Sequence, residues 1–172
     1  MLDAETIASG KAVGPIERTL IDYPTVENEG TLIVDVPRRR LFLVMAAGRA
    51  VSYGIGVARE GFEWSGTSHV SAKREWPGWT PPPQMREREK DLPHYMEGGL
   101  DNPLGARALY LGSTLYRIHG SNEPETIGEK VSSGCIRLAN RDVMDLFERV
   151  RVGARVVIIP EVPQIVPLAA AM

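Results

Sequence analysis

The sequence has very little cysteine: Cys135 is the only one in 172 residues. A single thiol excludes a disulfide within the chain, so cysteine content does not settle the redox compartment. Cys135 and His119 also have no nearby CxxC or HxxxH pattern, so they fall short of a zinc ligand set. With only three histidines as well, any thiol or imidazole chemistry depends on few residues.

A strong excess of one charge and long apolar runs are missing too. The net charge is -2 and the pI is near 6.0, whereas a nucleic-acid surface needs a clustered basic excess. No stretch approaches the ~20 apolar residues of a membrane span. We therefore expect no nucleic-acid partner and no membrane span. With 43% hydrophobic residues, the chain can bury the core of one domain.

The ends of the chain show no clear periodicity. Residues 1–29 match neither a helical nor a strand pattern and are predicted to form an irregular arm. Residues 161–172 are too few for a domain and are predicted to form a tail, which leaves residues 30–160 as the domain. The first residues lack the basic and apolar regions of a secretory signal.

Short apolar runs between turn residues predict a series of strands. They lie at residues 32–36, 40–45, 51–57, 67–72, 107–111, 114–119 and 154–160. Asn140 is a good N-cap for a helical pattern that ends near Gly153, and Pro124 favours a short helical turn. We predict a mainly β fold, an antiparallel β-sandwich or open barrel with one or two short helices. Residues 73–105 form a long loop expected to cover or wall a substrate cleft.

Cys135 and His119 lie close together in the sequence and suggest a nucleophile with its base. A free thiol has a pKa of ~8.5 and is mostly protonated at neutral pH. Lowering that pKa by about 2 units would raise reactivity only about threefold, because a less basic thiolate is less nucleophilic. Larger effects are expected when His119 protonates a leaving amine and when N–H groups stabilise an oxyanion.

Two glycines beside these residues allow the backbone to approach closely. Gly134 lets N–H groups converge just before the sulfur. Gly120 lets the chain fold tightly around the imidazole, and its carbonyl is expected to accept the Nδ1 proton. A lone cysteine or a lone histidine is more often structural. Their occurrence together, among glycine and serine, favours a catalytic pair.

The same residues resemble the catalytic signature of a known family, the L,D-transpeptidases or YkuD-type domain. The signature is Ile118-His119-Gly120 and, after a short connector, Ser132-Ser133-Gly134-Cys135-Ile136-Arg137-Leu138-Ala139-Asn140-Arg141-Asp142. Residues 76–82 and 101–111 resemble further family segments, and the resemblance covers about residues 30–160. Many members have histidine at the position of Ser133, a departure that concerns substrate contacts more than activity.

The resemblance implies a role for each matching residue. Cys135 would be the acyl-forming nucleophile, His119 the general base and acid, and Gly120 the backbone group that orients the imidazole. Gly134 and Cys135 would supply the oxyanion N–H groups. Substrate contacts are expected from Ser132, Ser133, Arg137, Trp76, Trp79 and Tyr110. For the tryptophans, packing that pins the long loop is an equally good interpretation.

The implied function is acyl transfer through a thioester. Cys135 would attack a peptidoglycan stem peptide and release D-alanine, and an amine of another stem would take the acyl group to form a cross-link. No cofactor and no metal are expected, and carbapenems would acylate the same sulfur. The resemblance also implies a periplasmic or other cell-envelope location, with a signal peptide already trimmed.

Three alternatives stay open at this stage. The same site could act as a hydrolase, either an L,D-carboxypeptidase or a peptidase that removes cross-links. The chain could also be a non-catalytic cell-wall-binding module, although Cys135 and His119 count against that. Stoichiometric zinc in the purified protein would favour a metal site instead.

Overall fold

The computed structural model describes residues 17–58, 66–132 and 135–160. Within these ranges it contains two α-helices, α1 (Pro83–Arg88) and α2 (Asn140–Arg149), and a turn of 3-10 helix at Pro124–Thr126. The strands are β1 (Thr19–Asp22), β2 (Leu32–Asp35), β3 (Arg40–Val44), β4 (Arg49–Gly54), β5 (Val57–Ala58), β6 (Gly66–Glu75), β7 (Arg107–Leu111), β8 (Arg117–His119), β9 (Lys130–Ser132), β10 (Ile136–Arg137) and β11 (Arg155–Ile159). The prediction of a mainly β fold with one or two short helices is confirmed.

Nine of the strands form one sheet, in the order β1-β4-β3-β2-β11-β6-β7-β8-β10, and β5 pairs with β9 separately. Strand β6 joins the two halves, since its first residues pair with β11 and its later ones with β7. The register shifts between Val70 and Ala72, an irregularity of the kind that bends a strand. The sheet thus changes direction at β6, and both halves contribute to one core.

Helix α2, which begins within the last residues of the signature, packs against this core. Its residues Val143 and Leu146 are fully buried, and burying such a side chain contributes ~1.5–3 kcal/mol. Tyr53 on β4 is also fully buried, and its hydroxyl donates to a carboxylate oxygen of Asp145 at 2.6 Å. The helix that follows Cys135 is therefore tied to the sheet by apolar packing and by a hydrogen bond.

One strand lies in the arm that we expected to be irregular. β1 pairs antiparallel with β4, from Thr19 opposite Ser52 to Asp22 opposite Arg49. Most of its side chains are exposed, so the sequence shows no apolar alternation, and main-chain hydrogen bonds hold the strand in place. The prediction is wrong for these four residues. Residues 1–16 and the predicted tail, 161–172, lie outside the described residues.

The helical turn predicted at Pro124 is confirmed. The cap of α2 is not as predicted, because Ala139 takes the N-cap position and Asn140 is the first helical residue. The amide of Asn140 is used elsewhere, as described below. Among the described residues, no helix is both long and apolar enough to cross a bilayer.

Candidate active site

Strands β8 and β10 bring together the two parts of the signature, residues 118–120 and residues 132–142. They are parallel neighbours, with Ile118 opposite Ile136 and His119 opposite Arg137. Cys135 directly precedes β10, so the same register sets it beside Arg117. The thiol and the imidazole are thereby carried on adjacent segments of one sheet edge.

Strand alternation puts the candidate functional side chains on one face of this edge. Ile118 and Ile136 are buried in the core. Because successive side chains point to opposite faces, the residues on either side of each isoleucine share the other face. Tyr110 on β7 pairs with Arg117 and belongs to the same face. We call it the thiol face, and its members are Tyr110, Arg117, His119, Cys135 and Arg137.

His119 is buried, with 4% of its surface exposed. Its Nδ1 lies 2.5 Å from the carbonyl oxygen of Gly120, the contact expected from the sequence. With the proton on Nδ1, Nε2 is left to accept one. Burial lowers the pKa of His119 to about 4, and the charges of Arg137 and Arg117 add to that effect, while the bond to Gly120 opposes it. At neutral pH the imidazole is uncharged and can act as a base.

Cys135 is half-buried, and its thiol is not part of a disulfide. Burial raises the pKa of the Cys135 thiol, although a hydrogen bond from the Arg117 main chain and the charges of Arg117 and Arg137 act to lower it. A lowered thiol pKa, considered from the sequence, is therefore not what the structure shows, because desolvation of the thiolate is the larger effect. At neutral pH both groups of the pair are therefore in their neutral forms.

Asn140 holds the backbone around His119. Its Oδ1 accepts hydrogen bonds from the N–H groups of Ala106, at 2.9 Å, and Ser121, at 3.2 Å. Gly105 and Gly120 pack directly against this oxygen, and a Cβ added to either would collide with it. Gly105 also has a φ of +64°, a conformation that favours glycine. The two glycines are therefore required by the close approach of one amide.

The predicted substrate residues fall into three groups. Arg137 and Tyr110 are half-buried on the thiol face. Trp76 and Trp79 lie in the loop after β6, where Trp76 is 40% exposed and Trp79 exchanges two main-chain hydrogen bonds of 2.8 Å with Met96. Ser132 is the last residue of β9, and the predicted residues Ser133 and Gly134 lie outside the described residues.

The loop after β6 is organised by Asn102, which is only 1% exposed. Its Nδ2 lies 3.0–3.3 Å from three carbonyl oxygens, those of Glu97, Pro77 and Met96. Its Oδ1 accepts the N–H of Leu104 at 2.9 Å. A buried amide with all these bonds pins both ends of the loop together. That the loop covers a substrate cleft stays a prediction.

Sequence reasoning missed Arg117 and the role of Asn140. The signal for Arg117 was present, because a residue two positions before His119 in a strand must share its face. No signal separated the clamp formed by Asn140 from a helix cap, since both use the same side-chain oxygen to accept N–H groups. Within the described part of the chain, no group of three His, Cys, Asp or Glu residues is arranged to hold a metal ion.

A family model, YkuD, the L,D-transpeptidase catalytic domain, matches residues 29–158. The probable L,D-transpeptidase ErfK/SrfK of Escherichia coli is 41% identical over 139 residues, which cover 76% of this chain and 44% of that protein. The chain spans about half the length of the curated relatives it matches.

Solved structures agree on the fold. The L,D-transpeptidase from Mycobacterium smegmatis is 18% identical with a TM-score of 0.57, covering 76% of this chain and 58% of that one. A crystal structure from Brucella melitensis, named a probable carnitine operon oxidoreductase, is 40% identical with a TM-score of 0.57 and covers 84% of this chain and 94% of that one. The name of that structure differs from the names of the curated relatives. The assignment of this chain to a family rests instead on the family model, which spans nearly all of the described fold. This chain belongs to the L,D-transpeptidase catalytic domain family.

Proposed function

We propose that this chain is a cysteine-dependent L,D-transpeptidase that joins peptidoglycan stem peptides through a thioester. One observation carries the proposal: the only thiol of the chain and a buried, neutral imidazole lie on neighbouring segments of one sheet edge. The carbonyl of Gly120 holds Nδ1 of that imidazole, which leaves Nε2 for proton transfer. The family supports the reaction class.

In the first half-reaction, the sulfur of Cys135 attacks the carbonyl carbon that links the stem peptide to its terminal D-alanine. Nε2 of His119 takes the thiol proton as the carbon–sulfur bond forms, and then donates it to the leaving nitrogen. The raised thiol pKa and the lowered imidazole pKa disfavour a separate ion pair, so proton transfer accompanies the attack. The carbon–nitrogen bond breaks, D-alanine leaves and a thioester remains.

The oxyanion of each tetrahedral intermediate needs donors that are already in position. The N–H groups of Gly134 and Cys135 are proposed for this role, as in the family signature. Ser132, Ser133, Arg137, Trp76, Trp79 and Tyr110 are proposed to bind the stem peptides.

In the second half-reaction, an amine of another stem attacks the thioester carbon while His119 accepts its proton. The new amide forms, and the sulfur leaves and regains the proton. A cleft that excludes water favours the amine over hydrolysis. Because the substrates are peptidoglycan stems, we place the reaction in the periplasm or elsewhere in the cell envelope.

The test is the intact mass of the protein after incubation with a tetrapeptide stem and, separately, with a carbapenem. The wild type is expected to gain a covalent adduct that Cys135→Ala lacks, and His119→Asn is expected to acylate at least a hundredfold more slowly with the peptide. Adding an amine acceptor should convert the peptide adduct into a cross-linked product in preference to free acid. If protein with a reduced thiol gains no adduct from either reagent, the proposal is wrong.

A further inference from the structure

We infer that Arg117 forms an anion subsite beside the sulfur and binds the free carboxylate of the D-alanine that the donor peptide loses. The inference rests on the proposed function for the identity of that carboxylate. The subsite itself follows from the surroundings of Arg117 in the structure.

Arg117 lies next to the reacting atoms. The pairing of Ile118 with Ile136 sets Arg117 beside Cys135, on the thiol face. The positive charge of Arg117 acts on both catalytic groups, since it lowers the pKa of Cys135 and that of His119 against their other influences. An anion bound to this guanidinium would therefore sit close to the carbon that the sulfur attacks.

Within the described part of the chain, the guanidinium of Arg117 lacks the polar partner that comparable arginines have. Five arginines of the described ranges have a buried Nε without a hydrogen-bond acceptor: Arg39, Arg86, Arg107, Arg117 and Arg137. In four of the five, another guanidinium nitrogen has a partner among the described residues. The partner is Gly128 O for Arg39, His94 Nδ1 for Arg86, Ala106 O for Arg107 and the Glu123 carboxylate for Arg137. In the same part of the chain, Arg117 has no hydrogen bond or ion pair from its side chain. A half-buried cation left in this way is costly unless a ligand completes its bonds.

Tyr110 holds Arg117 in position without neutralising it. The central guanidinium carbon lies 5.3 Å from the centroid of the Tyr110 ring, a stacking distance at which the ring attracts the cation. Such stacking leaves the edge of the guanidinium free to bind a carboxylate through two hydrogen bonds. Arg137 differs, because Glu123 lies 3.7 Å from it and already balances its charge.

The chemistry of the donor supplies a fitting anion. The residue expelled from a tetrapeptide stem carries a free carboxylate within about 4 Å of the carbonyl carbon under attack, by standard bond lengths. A stem with a further residue or an amide at this position offers no charge there. Arg117 would thus select donors whose scissile bond precedes the last residue of the chain.

The first experiment needs no peptidoglycan chemistry. Because Cys135 is the only cysteine, alkylation reports on it alone, and iodoacetate differs from iodoacetamide by a negative charge. Both reagents meet the same thiolate, so the ratio of their rates cancels any change in thiol pKa. We expect the iodoacetate to iodoacetamide ratio to fall about fivefold in Arg117→Gln. Arg117→Lys, which keeps the charge, should retain most of the wild-type ratio.

Arg155→Gln is the matched control, since Arg155 is exposed on β11 and pairs with Glu27 at 3.1 Å. Its ratio should equal that of the wild type. The subsite is refuted if Arg117→Gln leaves the ratio unchanged, or if the folded wild type shows no higher ratio than a cysteine-containing peptide. The wild-type comparison remains decisive even if Arg117→Gln does not fold.

The second experiment compares acylation by a tetrapeptide stem with that by its C-terminal amide. The wild type is expected to favour the acid at least tenfold, and Arg117→Gln to lose that preference. Acylation at equal rates by both peptides would leave the proposed function intact and overturn the carboxylate assignment. If neither peptide acylates the wild type, the proposed function fails and the assignment of this carboxylate fails with it, whatever the alkylation ratio.

Discussion

The side-chain oxygen of Asn140 lies 3.2 Å from the main-chain nitrogen of Ser121, two residues after His119. The same oxygen accepts the N–H of Ala106 at 2.9 Å. One amide at the start of α2 thus ties the segment that orients the imidazole to the start of β7. The geometry of His119 depends on a residue that follows Cys135 in the chain.

Replacing Asn140 by leucine should reduce both stability and acylation. The change leaves two buried N–H groups without an acceptor, at about 1–3 kcal/mol each, so we expect a loss of roughly 2–6 kcal/mol. Asn140→Asp keeps an acceptor oxygen and should lose less stability. Urea unfolding and the carbapenem acylation rate measure the two effects. A stability within about 0.5 kcal/mol of wild type in Asn140→Leu would contradict the clamp.

Gly120→Ala should be disruptive because its methyl group collides with Asn140 Oδ1. We expect a loss of about 1–3 kcal/mol from overpacking and slower acylation, because Gly120 also holds the imidazole. In the double variant with Asn140→Ala, the collision is relieved, so the combined loss should be smaller than the sum of the single losses. Gly99→Ala, at a glycine with nothing within 4 Å and no positive φ, is the control and should change stability by less than about 1 kcal/mol. Additive losses at Gly120 and Asn140 would argue against their contact.

His119 makes stability depend on pH in a defined window. The folded-state pKa is about 4, below the ordinary 6.5 of the unfolded chain, so the unfolded chain takes up a proton first as the pH falls. The free energy of unfolding should therefore decrease as pH falls from 6.5 to 4, by up to about 3 kcal/mol from this group. His119→Asn should lack this part of the profile. Unfolding curves at several pH values test it, and parallel profiles for the two proteins would show that His119 does not titrate as described.

The thiol should react slowly at neutral pH in the absence of substrate. Burial raises the pKa of Cys135, so less thiolate is present than in an exposed cysteine. We expect iodoacetamide to react more slowly with the folded protein at pH 7 than with the urea-unfolded chain, and the rate to rise with pH beyond the ordinary range of a thiol. A rate that levels off below pH 8 would instead indicate a resting thiolate and imidazolium pair.

Lys73 should matter for stability and not for acylation. Its Nζ donates to the carbonyl oxygens of Phe147, at 2.5 Å, and Val150, at 2.8 Å, and so closes the end of α2. Lys73→Met keeps a long, unbranched side chain but loses both charged hydrogen bonds. We therefore expect the free energy of unfolding to fall by about 1.5–3 kcal/mol. Lys90→Met, at an exposed position, is the control and should change stability little. Thermal unfolding and carbapenem acylation distinguish the two expectations.

The sequence allowed most of the fold to be predicted and pointed to Cys135 and His119 as a pair, because both follow from local patterns; that the pair is catalytic stays a proposal. Strand β7 was predicted with its observed bounds, since an apolar run between turn residues marks a buried strand clearly. Strand β1 was not, because an edge strand with exposed side chains depends on main-chain pairing with a distant partner. The clamp at Asn140 and the raised thiol pKa could not be predicted either, since each depends on which segments pack around a group.

The position of β11 has a consequence for synthesis of the chain. Residues 155–159 lie in the middle of the sheet, between β2 and β6, although they come near the end of the described sequence. The strand that lies between β2 and β6 is therefore synthesised only after both of them. Until then β2 and β6 each present an unpaired edge, which is a template for pairing with another chain. Nascent and truncated forms should depend on chaperones that hold them apart, whereas the finished chain covers both edges at once.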